Sequence, residues 1–440
     1  MHDRQHLADT LRQTRQRMRA LIDDLDDEQL DLPWHPGVNP PLWEMGHAAF
    51  FYEVFVLNRL DGTPSINPAM DELWDSFHVS HRERWSRELF PGRDATLAYA
   101  DQVFERVLER IQTQPLTEQA RYLYRYAIHH QNMHIESMIW ARQTLAYPAP
   151  TWLRGSHAQT AEPGTDSVDA DIPAGKWWIG MPEDSQAFGA RDFAFDNEKP
   201  GFNIELPAFS IATSPTSNRQ FLDFVEDGGY QRDPFWSLGG RRWKAGHGAM
   251  NPEQKAFQHP IHWRHQGGQW QERLFDQWLP LAPQAPVRHL SYWEAEAWCR
   301  WAGRRLPSEY EWEVAALGNL AGDDQRRAFP WGNDYDPTHA DMDASNMAQQ
   351  PATALPGSAS PFGCRQMIGT LWEWTSSDFL PYDGFRVDMY PFMSTLQFGD
   401  HKTTRGGSCA TSSMLIRGSY RQAYLPDRND VFTGFRSCAA

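Results

Sequence analysis

The helical repeat in this chain stops once, around Tyr147-Pro-Ala-Pro150. Before that point apolar residues recur every three or four positions, and after it they fall in short runs separated by Gly, Pro and Asn. Stripes at helical spacing must be buried against other helices, whereas short runs between turns make strands of an irregular sheet. The chain is therefore expected to fold as two units, and its 440 residues exceed what one ordinary core holds. The expected fold class is α followed by α+β. A four-helix unit spans residues 1–150, residues 151–171 form a linker that includes Ser156 to Thr165, and a mixed unit spans 172–440.

Four stripes define the first unit. The first runs Leu7, Leu11, Met18, Leu21, Ile22 and Leu25; the second, Leu42 to Leu60, is apolar on most sides; the third covers Ala95 to Ile111. The fourth advances through Leu123, Ala127, His130, His134, Met138, Ala141 and Leu145. Four such helices suggest an antiparallel bundle, in which side chains of facing helices can build a site. His130 and His134 are one turn apart and interrupt the stripe that should be buried. Such a pair either holds one metal ion or is a pair of core histidines with hydrogen-bond partners, and the spacing alone leaves both readings open. His47 lies in the second helix, ahead of Phe50, Phe51 and Val54. His129 is expected to turn away from the pair as a solvated or capping group, and Glu136 to be a surface carboxylate.

Three helices are expected in the second unit, each opened by a capping box: Ser217 with Gln220, Ser291 with Glu294, and Ser308 with Glu311. Gly228-Gly229 and Gly303 should close the first two. Lys176 to Ile179 and Phe202 to Leu206 read as strands. Cys299, Cys364, Cys409 and Cys438 form no Cys-x-x-Cys unit, so neither a zinc knuckle nor a disulfide framework is indicated, and a cytoplasmic location is the default. A net charge of −16 argues against a nucleic-acid partner, and no apolar run is long enough to imply a membrane span.

Several segments of the second unit come in an order that resembles the formylglycine-generating-enzyme-like domain, a C-type-lectin-related fold. They are Asp196-Asn-Glu-Lys-Pro200, Thr216 to Phe221, Asp227-Gly-Gly-Tyr230, Trp301 to Trp312, Gly369 to Thr375, Arg405-Gly-Gly-Ser408 and Gly434-Phe-Arg436. The first unit resembles a DinB-type bundle. Together the halves resemble the ergothioneine sulfoxide synthases, which use iron(II) and O2 to attach sulfur to the imidazole C2 of hercynine, the trimethylated betaine of histidine. The resemblance implies His47, His130 and His134 as ligands of Fe(II), with O2 as co-substrate, and leaves room for a structural Ca2+ in the second unit. Three imidazoles would equally suit zinc, and only the partner domain points to iron.

The donor pocket departs from that family. Where the family has a proton-donating tyrosine after the Trp-Glu-Trp segment, this chain has Phe379, with Tyr382 three residues on. The segment Val79 to Arg87 does not match the arginine-rich segment that binds the carboxylates of γ-glutamylcysteine. An Asn-Trp-Asp triplet is replaced by Gln422-Ala-Tyr424, although Arg428 remains. Phe275 to Pro280, Arg142 to Tyr147 and Pro426 to Asp430 most resemble the selenoneine synthases, which join hercynine to a neutral selenosugar. Tyr382 and Phe379 are thus the expected catalytic positions. Tyr382, Gln422, Tyr424, Arg428 and Trp372 are the expected substrate-binding residues. Copper-dependent formylglycine generation is disfavoured, because it requires two cysteines shortly after the Gly-Gly-Ser segment, and here only Cys409 is present, immediately after Ser408, while Thr411 and Ile416 occupy the expected places. A non-enzymatic lectin-like binding protein is the remaining alternative.

Overall fold

Four long helices carry the first unit of the computed structural model, which describes residues 2–32, 34–153, 168–183, 193–251, 253–322, 326–390 and 393–440. They are α1 (His2–Asp23), α2 (Pro41–Tyr52), α3 (Arg93–Thr113) and α4 (Glu118–Thr144). Pro41 starts α2, where its missing N–H costs nothing, and the Thr117 side chain caps α4 by accepting from the Ala120 amide. Past Tyr52 the helix widens into a π-type stretch, Glu53–Asn58. There the buried Glu53 accepts from the Ile66 amide, Tyr99 and Arg106.

The bundle is not the alternating antiparallel one expected. Arg15 of α1 pairs with Asp101 and Glu105 of α3, and Arg93 reaches the carbonyls of Ile22 and Leu25, so α1 and α3 are antiparallel. Arg121 pairs with Asp3 and Arg142 with Asp24, which makes α1 and α4 parallel. On the other side Tyr99 and Arg106 meet Glu53 while Arg110 meets Asp61, so α2 and the following α3 also run parallel. Consecutive parallel helices need a return connection, and residues 62–92 supply it. This connection carries the short helices Pro68–Met70, Asp71–Trp74 and Glu83–Trp85.

The chain forms two compact units, Met1–Arg154 and Gly155–Ala440. Thr151–Leu153 forms a turn whose Trp152 ring lies under Arg17 of α1. Strand β1, Asp169–Ile172, takes the last three residues of the expected linker and the first of the expected second unit, and that linker's Ser156 to Thr165 lies outside the described residues.

The second unit is built on short strands. In chain order after β1 come β2 (Gly175–Ile179), β3 (Phe202–Leu206), β4 (Phe209–Ala212), β5 (Trp263–Gln266), β6 (Gln269–Leu274) and β7 (Gln277–Pro280). Then follow β8 (Arg304–Arg305), β9 (Trp372–Asp378), β10 (Lys402–Arg405), β11 (Arg421–Tyr424), β12 (Thr433–Gly434) and β13 (Cys438–Ala439). They form sheets β1-β4-β13-β8, β11-β10-β9-β12, β2-β3 and β5-β6-β7. The two strands expected from the sequence pair with each other, Trp177 opposite Ile204. The three expected helices are present as α5 (Asn218–Glu226), α6 (Tyr292–Trp301) and α7 (Glu309–Leu317), each with both capping-box hydrogen bonds. Gly228 and Gly303 follow the first two in the left-handed region, at φ 75° and 64°. A further short helix, Leu238–Arg242, has no apolar stripe to announce it.

Four buried ion pairs run through the second unit, and five of their residues, Glu198, Glu309, Glu373, Arg405 and Arg436, lie in the segments that resemble the formylglycine-generating-enzyme-like domain. Arg436 pairs with Glu373, Arg421 with Glu309, Arg405 with Glu313 and Arg417 with Glu198, all buried. Removing one partner of such a pair strands a buried charge and costs about 3–5 kcal/mol. The four cysteines are free and buried. No helix among the described residues is long and apolar enough to cross a membrane.

Candidate metal centre

Helices α2 and α4 lie antiparallel, Tyr52 bonding Gln131 at one end and Glu44 accepting from Ser137 at the other, and this brings His47 against His130 and His134. The donor atoms of the three imidazoles lie within 4.8 Å of one another. Among the described residues they are the one group of three His, Cys, Asp or Glu side chains that converges in this way.

Two of the rings are aimed from behind. Nδ1 of His47 faces the carbonyl of Trp74 at 2.6 Å, and since a carbonyl only accepts, this nitrogen holds the proton and Nε2 is left as a lone pair. Nδ1 of His134 faces the carboxylate of Glu44, with the same result. Glu44 also accepts from Ser137 Oγ at 2.7 Å and Asn39 Nδ2 at 3.1 Å. The third ring, His130, is stacked on Phe51 at 3.8 Å between centroids. Trp43 stacks on His47 at 4.7 Å, and the guanidinium of Arg84 lies over the same indole at 4.1 Å, so the Trp43 ring is held between them.

Nε2 of His134 and Nε2 of His130 are 3.2 Å apart. Two imidazole nitrogens meet so closely either by sharing a proton or by binding one cation, and cis ligands at about 2.1 Å from a metal stand ~3 Å apart. Burial, and then His134, push His47 down to about 3, and burial with the other two rings holds His130 well below its usual range. Both are therefore neutral at neutral pH, as ligation requires. Burial alone would raise Glu44, but positive charge at His134 and hydrogen bonds from His134, Ser137 and Asn39 outweigh it and hold the carboxyl at about 2; on a neutral ring that positive charge is what a cation on Nε2 supplies. Neutral imidazoles that converge, two of them with their outer nitrogens anchored, fit a divalent transition metal such as iron(II).

His129 and Glu136 differ from expectation: both are buried, at 6% and 3% exposure. The reason is that α4 is enclosed on most of its circumference, with Tyr126 to Asn132 buried without interruption.

In the second unit the expected substrate residues separate into two groups. On the β11-β10-β9 sheet Thr404 stands opposite both Trp374 and Gln422, so these share a face with Trp372 and Tyr424. Trp372 and Tyr424 have ring centroids 6.4 Å apart, and Arg428, paired with Asp430, lies over Tyr424. Arg421, one residue before Gln422, points to the opposite face. There its guanidinium covers the rings of Tyr382 at 4.0 Å and Phe379 at 4.8 Å. Tyr382 and Gln422 are therefore not brought together. The Tyr382 hydroxyl is buried without a hydrogen-bond partner, and burial raises its pKa well above that of a free phenol.

The arginines of residues 79–87 are engaged within the helical unit. Arg82 lies over Trp34, Arg84 donates to Asn39 Oδ1 and the Ser76 carbonyl, and Arg87 pairs with Asp31. Arg84 and Arg87 line a cavity of about 370 Å³ together with Trp43, Trp85 and Phe90.

Residues 158–440 match the family model described as the sulfatase-modifying factor enzyme 1-like domain, and residues 10–138 match that of the DinB superfamily. The chain is 32% identical to the hercynine oxygenase of Mycolicibacterium smegmatis over 98% of both chains. Identity to the hercynine oxygenase of Mycobacterium tuberculosis is 31%, again over 98% of both. The formylglycine-generating enzyme of Thermomonospora curvata is 29% identical over 62% of this chain and 98% of its own.

Proposed function

This chain belongs to the hercynine oxygenase family, and on that premise we propose that it joins the selenium of a selenosugar to the imidazole C2 of hercynine, using iron(II) and O2. It is an oxygen-dependent oxidoreductase that forms a carbon–sulfur or carbon–selenium bond. The observation that carries the metal assignment is the convergence of His47, His130 and His134. Iron(II) held there would activate O2 and keep positions open for the chalcogen donor and the imidazole, so that a three-body encounter becomes a reaction within one coordination sphere.

The protein's own share is positioning. The Trp74 carbonyl and Glu44 hold two imidazoles with Nε2 directed at the centre. The electron-rich faces of Trp372 and Tyr424 suit the trimethylammonium group of hercynine, with Gln422 beside them to meet its carboxylate. Selenium as the donor is supported by what the helical unit offers a second substrate. A dicarboxylate such as γ-glutamylcysteine needs fixed guanidinium groups, because a buried carboxylate without one costs several kcal/mol. Arg82 lies over Trp34, Arg84 over Trp43 with a hydrogen bond to Asn39, and Arg87 pairs with Asp31 at the surface. A neutral, hydroxyl-rich donor asks for no such clamp. The phenylalanine at 379 accords with this, since it leaves no phenol at the family's proton-donor position.

The resemblance to the ergothioneine sulfoxide synthases supports a second reading, in which γ-glutamylcysteine or cysteine is the donor and the product is a sulfoxide; the relatives themselves are named for hercynine alone. A competition assay separates the two. Hercynine, Fe(II) and air are supplied with selenosugar and γ-glutamylcysteine at equal concentration, and products are resolved by mass. The selenosugar product should dominate. A tenfold advantage of γ-glutamylcysteine in kcat/KM, about 1.4 kcal/mol of transition-state preference, would overturn the selenium assignment.

A further inference from the structure

We propose that Glu44 is a positioning residue of the metal centre, keeping an ionised carboxylate behind His134 so that a set of three neutral imidazoles carries one negative charge a ring away from the metal. This rests on the reading of His47, His130 and His134 as ligands.

Glu44 is 1% exposed and stands in a helix whose residues are almost all buried. A carboxylate in such a place is retained only if charge and hydrogen bonds compensate it. Its neighbours supply hydrogen bonds but little charge: Ser137 and Asn39 are neutral, and Arg84 reaches it only through Asn39, whose Oδ1 accepts from the guanidinium while its Nδ2 donates to Glu44. The remaining partner is Nδ1 of His134. A neutral imidazole leaves the negative charge unbalanced, whereas a cation on the far nitrogen of the same ring balances it directly. The carboxylate then strengthens His134 as a donor without occupying a metal position, which keeps three positions open for reactants.

A plainer role is a polar link between α2 and α4. Glu44 also lies in the first turn of α2, where an acid suits the helix dipole. Its side chain, however, spends its oxygens on Ser137, Asn39 and His134 rather than on the free amides of its own helix. The two roles differ in what a neutral replacement does. Glutamine has the same shape: its carbonyl can still accept from His134 and its amide can donate to Ser137 Oγ, so all of a polar link but the Asn39 hydrogen bond would survive Glu44→Gln while the charge would not.

The test titrates full-length wild type and Glu44→Gln anaerobically with Fe(II) against a competing chelator, and records the Co(II) absorption spectrum of each. The expected result is a 10- to 100-fold weaker Fe(II) affinity, displaced Co(II) ligand-field bands and an unfolding temperature close to that of the wild-type apoprotein. Ser137→Ala, which loosens the carboxylate but keeps its charge, should lose affinity severalfold, and it decides the matter should Glu44→Gln fail to fold. Affinity within threefold of wild type in Glu44→Gln, with an unchanged Co(II) spectrum, would overturn the proposal and leave the ligand assignment standing. A wild-type protein that binds no Fe(II) would overturn both.

Discussion

Gly46→Ala should damage the metal centre from a position that touches no metal ligand through its side chain. An added Cβ would lie 2.4 Å from Cη2 and Cζ3 of Trp74 and 2.6 Å from its Cε3. The indole must retreat by about 1 Å to restore ordinary contact near 3.4 Å, yet it is 1% exposed and backed by Phe90 and Tyr99. Overpacking of this kind costs about 1–3 kcal/mol. Against it stands the gain of replacing a helical glycine by alanine, about 0.5–1 kcal/mol. The net cost is about 0–2.5 kcal/mol, towards the upper end because the clash is with three atoms of a backed indole, and for a unit of this size each kcal/mol lowers Tm by about 2–4 °C. The same shift carries the Trp74 carbonyl away from His47, whose 2.6 Å hydrogen bond then lengthens beyond useful range. Fe(II) affinity should accordingly fall by about tenfold or more, the size seen when a group that orients a metal ligand is lost. Thermal unfolding of the apoprotein and anaerobic Fe(II) competition measure the two effects separately. A variant with Tm and iron affinity equal to or above wild type would refute the reasoning.

In the second unit, burial raises Glu294 to about 7, despite hydrogen bonds from Tyr230 and Ser291. The folded protein therefore holds this proton more tightly than the unfolded chain, and stability is fully present below the unfolded value of 4.5 and lost as pH rises through about 7. The slope amounts to ~3 kcal/mol at most, and Glu294→Gln, which retains a capping-box residue, should flatten it in pH-dependent denaturant melts; an unchanged pH dependence would exclude the group. Phe379 is 1% exposed between Arg421 and Phe398, so Phe379→Tyr should bury an unpaired hydroxyl and destabilise by about 1–3 kcal/mol. It should not raise turnover with γ-glutamylcysteine, and a gain there would show that position 379 can act as a proton donor.

What could be read from the sequence was local. The capping boxes at Ser217, Ser291 and Ser308 lie within four residues of chain, and the turn spacing of His130 and His134 lies within one helix. Direction was not legible: periodicity records which face is buried but not which way a neighbouring helix runs, so the parallel α2 and α3 and the return connection that binds them were missed. Trp74 contributes a backbone carbonyl, which leaves no trace in residue type. Glu44 did leave one, an acid three residues before His47 in an otherwise apolar helix. In the second unit, strand register decides that Gln422 and Arg421 serve opposite faces, and only the pairing of β9, β10 and β11 reveals that Tyr382 lies on the side away from Gln422. The burial of His129 and Glu136 is not legible either, since the single stripe that periodicity shows is only part of the buried surface of α4.

Iron binding by the full chain and its His134→Ala variant tests the central claim most directly. After anaerobic loading with Fe(II) and removal of excess, wild type should retain close to one iron per chain. The variant should retain almost none while keeping its helical circular dichroism, since a void replaces one of three donors. Full iron retention by His134→Ala would contradict the account.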